Sequence, residues 1–159
     1  VLFRSSSKRP ASPASDVDLD FDILPDLVGY HLRKAQMAVF EQFNRTMAEH
    51  RITPGQFGIL ALIGANAGLT QSALARAVGI ERSTMVAVID SLERRGLVER
   101  RPSATDGRSH ALVLSVEGKA QLSALKKLVA KHESQVLADL DGEERRTLIN
   151  LLARIAKPL

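Results

Sequence analysis

Between Thr70 and Gly96 two short helical patterns stand back to back with a glycine between them, and this pairing constrains the fold more than any other feature. After Thr70, an N-cap residue, Leu74, Ala75 and Val78 recur at helical spacing; after Gly79, Met85, Ile89 and Leu92 do the same. Ala75 suits a point where two helices cross too closely for a larger side chain. Gly79 supplies the turn between them, and Gly96 stands where a glycine closes the second helix. The segment reads as a helix-turn-helix. The A-x-x-x-G spacing is common in buried helix pairs; Ser83-Thr84 immediately after it and an arginine-bearing hairpin beyond give it its meaning.

The period changes after Gly96. Leu97–Arg101 and Ala111–Leu114 are strand candidates, joined by Pro102–Ser109, a polar, turn-rich loop with Asp106-Gly107 near its tip. Upstream, Leu24, Val28, Leu32, Ala35, Val39, Phe43 and Met47 predict one long helix from Asp22 to about His50. Tyr30, Met37 and Phe40 form a second apolar side, so this helix must face two things. Thr53-Pro54-Gly55-Gln56 opens another helix with a capping box, and Phe57, Leu60 and Ile63 supply its buried face. Downstream, Ser115 caps a helix to about Asp139. Asp141-Gly142-Glu143-Glu144 opens a last one, stopped by Pro158. The order is α-α-α-α-β-β-α-α, a mainly α fold with one small hairpin.

Composition narrows the chemistry. Cysteine is absent, which excludes disulfides, thiolate metal sites and thiol redox sensing. His31, His50, His110 and His132 include no helical metal-binding spacing, so no metal and no cofactor is expected. No paired acid and base, nucleophile set or phosphate loop stands at a credible spacing for an enzyme. No run approaches the roughly 18 apolar residues of a membrane span, and no signal peptide opens the chain, so a cytoplasmic protein is expected. Net charge is +4; the first 22 residues carry −1 and the rest +5, a balance that fits a polyanionic partner without demanding one. Residues 1–21, rich in Ser, Pro and Asp, read as a disordered tail. Its Arg4, Lys8 and Arg9 could form a basic arm, although a solvated tail is the plainer reading.

In a helix-turn-helix the second helix enters the major groove by its N-terminal residues. Here these are Glu81, Arg82, Ser83 and Thr84, with Val86 and Ala87 on the outer side. Arg82 can give two hydrogen bonds to guanine or hold a phosphate. Ser83 and Thr84 can touch base edges or cap the helix, and Val86 can lie on a thymine methyl. Arg108 at the hairpin tip could enter a minor groove with Asp106 steadying it. Arg100 and Arg101 alternate in direction, so one of them should face DNA, and Arg101 is the candidate.

The stretch ALARAVGIERSTMVAVIDSLERRGLVERRPSATDGRSHALVLSVEGKAQL resembles the signature of the MarR family of bacterial regulators. Ser83, Thr84, Asp90, Leu92, Glu93, Gly96, Leu97 and Val98 match its recognition helix. Asp106 and Arg108 match the D-x-R of its wing, and Leu114, Ser115 and Gly118 the opening of its next helix. Val86 and Ala87 depart from the Thr and Arg common at those positions, which puts the family's usual operator preferences in doubt.

The resemblance implies a winged helix-turn-helix over 53–115, flanked by dimerisation helices at 22–52 and 116–159. It further implies a homodimer on a palindromic operator in double-stranded DNA, with no membrane partner. Family members sense small anionic or aromatic compounds between the dimerisation helices and the DNA head. Matching positions here are Tyr30, His31, Lys34 and Met37, with Phe57 and Leu60 on the next helix, though Phe57 and Leu60 could equally be core packing. A subgroup responds to coenzyme A thioesters of aromatic acids, whose phosphates could meet Arg33 and Arg51. The expected function is a ligand-responsive repressor; the alternative is a winged-helix protein-interaction module without specific operator binding.

Overall fold

Helix caps and turn glycines decide where the regular elements begin and end. The computed structural model describes residues 19–102 and 110–156. The basic arm at Arg4, Lys8 and Arg9, the wing tip with Asp106 and Arg108, and the stop at Pro158 lie outside the described residues.

The first helix is shorter than its periodicity predicts. Helix α1 covers Val28–Thr46, with separate 3-10 turns at Leu24–Asp26 and Ala48–His50. Asp22 has a φ of 49° and Leu27 is extended, so neither can belong to an α-helix. At the far end Arg51 takes a left-handed conformation (φ 50°, ψ 43°), which turns the chain sharply. Phe43 and Met47 of the expected stripe are buried, whereas Leu24 and Val28 are exposed.

Helix α2 (Pro54–Ala65) starts with the expected capping box: Thr53 Oγ1 accepts from the Gln56 amide and Gln56 Oε1 from the Thr53 amide, both at 3.2 Å. Strand β1 (Leu69–Thr70) follows, too short to show a period in the sequence. Helix α3 (Gln71–Val78) is capped by Thr70, whose Oγ1 accepts from the Ala73 amide. Gly79, at φ 68°, turns the chain into α4 (Arg82–Arg94), and Gly96, at φ 70°, turns it out again. Strands β2 (Val98–Pro102) and β3 (His110–Leu114) form the hairpin. β1 joins the other edge of β3, pairing Leu69 with Leu112 and Thr70 with Ala111, so the antiparallel order is β1-β3-β2. Ser115 caps α5 (Val116–Val136), and Asp141 opens α6 (Gly142–Ile155) with its capping box.

The chain forms two units, one up to Ala35 and one from Gln36 onward. In the second, Leu60, Leu74, Met85, Ile89, Leu92, Leu112 and Leu125 are wholly enclosed, one apolar core shared by α2, α3, α4, the sheet and α5. Such burial contributes about 1.5–3 kcal/mol per large side chain. It fixes α4 by one face only. Helix α6 buries none of its residues within the subunit, and Leu148, Ile149, Leu151, Leu152 and Ile155 stand open. No helix among the described residues is long and apolar enough to cross a membrane.

Candidate nucleic-acid interface

Helix α4 divides cleanly between anchor and display. Met85, Ile89 and Leu92 are fully buried, while Arg82, Ser83, Thr84, Val86 and Ala87 are all exposed. The N-cap is Glu81, which makes no side-chain cap hydrogen bond, and Ser83 and Thr84 lie inside the first turn. Their hydroxyls are therefore not spent on capping. Arg82 has no carboxylate within 4 Å among the described residues. The first turn of α4 thus offers a guanidinium, two hydroxyls and a branched apolar side chain to the outside, next to the partial positive charge of a helix N-terminus.

Strand β2 sends its two arginines to opposite faces. Arg100 pairs in register with the buried Leu112 and turns inward to α4, where it forms ion pairs with Asp90 and Glu93. Its side chain is 23% exposed. Arg101 turns outward, its side chain 62% exposed, and among the described residues its one carboxylate partner is Glu99 on its own strand, at 2.8 Å. Of the two, Arg101 is the one open to a partner. The neighbouring wing residues Asp106 and Arg108 lie outside the described residues.

Sequence reasoning missed how the far end of α4 is held. Arg95, directly after the helix, donates to two backbone carbonyls of the bend before α2, His50 O at 2.8 Å and Arg51 O at 2.9 Å. The His50 ring in turn meets Gln121 of α5 through Nδ1 and Nε2 at 3.0 Å. The reading helix is thereby tied to the bend that follows α1 and to α5. The partners are 45 and 71 residues apart in sequence, so no local pattern announces them. His132 was also hidden: on α5 it is buried, its Nε2 shares a hydrogen with Val39 O at 3.2 Å, and its ring stands edge-on to Phe43.

The expected effector positions fall in both units. In the first, the His31 Nε2 lies 2.7 Å from Pro25 O, and the Lys34 ammonium sits 5.2 Å from the Tyr30 ring centre, a cation–π contact. Arg33 and Lys34 are exposed and have no carboxylate within 4 Å among the described residues. In the second, Met37 is exposed, Phe57 is half-buried with its ring 6.3 Å from that of Phe43, and Leu60 is wholly enclosed in the core. Arg51 is exposed at its left-handed bend.

The sequence profile of the MarR family matches residues 51–109. A protein of Thauera aromatica, described as a transcriptional regulator of the hcr operon, is 41% identical over 129 residues, covering 80% of this chain and 78% of that one. The transcriptional repressor CouR bound to a 23-mer DNA duplex superposes with a TM-score of 0.84 at 42% identity, covering 89% of this chain and 100% of that one. CouR bound to p-coumaroyl-CoA gives 0.81 at 40% identity with the same coverage. The chain belongs to the MarR family of winged helix-turn-helix transcriptional regulators.

Proposed function

We propose that the chain is a repressor that occupies a palindromic operator as a homodimer and is released by a small aromatic acid or its coenzyme A thioester. The observation that carries this reading is the first turn of α4, which shows Arg82, Ser83, Thr84 and Val86 to the outside on a helix whose other face is fixed in the core. Arg101 adds a cation on the adjoining strand, and Asp106 and Arg108 are the further DNA-contact positions that the sequence offers. The DNA-bound form of the similar CouR supports operator binding over a role confined to protein partners, and its p-coumaroyl-CoA complex supports an aromatic thioester as effector. Tyr30, His31, Arg33, Lys34, Met37, Phe57 and Leu60 are the proposed effector positions. An effector can shift DNA occupancy only by its difference in affinity between the two forms, a scale of a few kcal/mol.

Selection from a random 30-base-pair duplex pool tests the reading. It should return an imperfect palindrome with half-sites about one turn apart. With about 6–10 phosphate contacts, affinity should fall roughly 10³–10⁵-fold between 50 and 200 mM salt. Arg82→Ala should lose about tenfold or more in affinity and relax one base position. Adding p-coumaroyl-CoA or p-coumarate then separates thioester from free acid. A flat salt response, or Arg82→Ala binding as the parent does, would overturn the DNA assignment; release by neither compound would overturn the effector class alone.

A further inference from the structure

A second constellation of cations shares no residue with the first turn of α4 or with the proposed effector positions. A cleft of about 470 Å³ opens between the end of α2, the outer side of the sheet and the first half of α5. Its floor is apolar: Ile63, Val113, Leu114 and Leu122. One wall carries only small residues, Gly64, Ala65 and Ala67, and a Cβ on Gly64 would lie 2.8 Å from Leu122 Cδ2 and 3.0 Å from Leu114 Cδ1. Along the other, Lys119, Ser123 and Lys126 stand at i, i+4 and i+7 on one face of α5, so the two lysines bracket about 10 Å of the cleft. Arg101 faces them from β2.

The charges decide what fits. Three cations line the cleft, and among the described residues the one carboxylate within 4 Å of them is Glu99, on Arg101. Lys119 and Lys126 have no carboxylate within 4 Å among the described residues. The excess is two positive charges over an apolar floor. A monocarboxylate would leave one cation unmet, and inorganic phosphate would leave the floor bare. The volume falls in the range of small-molecule sites, about 300–1,000 Å³.

The geometry points to a second ligand site in this cleft, one that takes an organic dianion of the phosphate monoester class. The phosphate is held by Lys119, Lys126 and Arg101 with the Ser123 hydroxyl as a further partner, and an aromatic or aliphatic body lies over Leu114 and Leu122. Charge-assisted hydrogen bonds of this kind are about twice as strong as neutral ones. Arg101 is common to this site and the proposed DNA face, while Lys119, Ser123 and Lys126 belong to this site alone.

Calorimetric titration of the whole chain with 1-naphthyl phosphate, 1-naphthoate and inorganic phosphate tests it. The naphthyl phosphate should bind at least tenfold more tightly than either of the others. The double change Lys119→Gln with Lys126→Gln should weaken it about tenfold or more without shifting the urea midpoint. Lys127→Gln, next in sequence but outside the cleft, should leave it unaltered. Equal binding of naphthyl phosphate and naphthoate, or equal effects of Lys127→Gln and the double change, would overturn the assignment. So would a double variant that loses duplex affinity while naphthyl phosphate fails to bind the parent, since the cleft would then hold a DNA phosphate.

Discussion

Gly118 occupies a position where any side chain would strike backbone. A Cβ placed there lies 1.9 Å from the carbonyl oxygen of Leu97 and 2.9 Å from its carbon. The close approach is made by Ser115, three residues earlier. Its Oγ accepts from the Gly118 amide at 2.8 Å and donates to Gly96 O at 2.6 Å, while its amide donates to Leu97 O at 3.2 Å. The start of α5 is thus pressed onto the exit of α4, and only hydrogen fits in between. Gly118→Ala must move backbone on one side or the other, unlike a change that meets only a flexible side-chain end. The expected loss is about 3 kcal/mol, read as a lower urea midpoint. Gly142→Ala, which meets nothing nearer than the Arg146 side chain at 3.6 Å, should leave the midpoint within about 0.5 kcal/mol. Equal stability of the two variants would mean that α5 is not seated on Leu97 as described.

At the scale of elements, the hairpin and the reading helix are joined by one side chain. Arg100 holds Asp90 and Glu93, one turn apart on α4, from the middle of β2. Its inward face is the one shared with Leu112, while Arg101 shares the opposite face with Ala111. The two adjacent arginines therefore predict opposite signatures. Arg100→Gln should lower stability by about 1–2 kcal/mol, discounted because both acids are partly solvated, and should weaken DNA binding by loosening the wing from α4. Arg101→Gln should change stability by less than about 0.5 kcal/mol yet reduce DNA affinity and make its salt dependence shallower by about one phosphate contact. Denaturation and anisotropy titrations on both variants check this; a reversed pattern would exchange their roles. That one arginine of the pair faces outward was legible in the sequence, since alternation along a strand is local. Which one does so depends on strand register and on two acids in another element. The same line separates the rest: the caps at Thr53, Thr70, Ser115 and Asp141 and the turns at Gly79 and Gly96 were readable from neighbouring residues. The break of the first helix at Asp22 and Leu27, the two-residue strand β1 and the Arg95 tie to His50 and Arg51 were not. The first follows from single backbone torsions, the others from partners far along the chain.

At the scale of the whole molecule, the apolar surface of α6 needs an owner. Leu148, Leu151, Leu152 and Ile155 lie at i, i+3, i+4 and i+7, one stripe of a helix with no buried residue, and Leu140 stands open just before it. An exposed contiguous apolar stripe is what a subunit interface leaves when one copy is viewed alone. We propose this stripe as the homodimer interface; two heads joined there would raise apparent affinity by about 10²–10⁴ through effective concentration alone. Leu151 and Ile155 are 46% and 59% exposed, so replacing them disturbs the subunit's own core little. Leu151→Lys with Ile155→Lys should therefore sediment as a monomer at micromolar concentration, with far-ultraviolet circular dichroism like that of the parent. Its affinity for a full palindrome should fall by about 10²-fold or more, while its weaker affinity for a single half-site stays as in a parent monomer. A double variant that keeps both the dimer mass and palindrome binding would place the interface elsewhere. A monomer that still binds the palindrome at full strength would detach affinity from pairing, and with it the reason for the operator's symmetry.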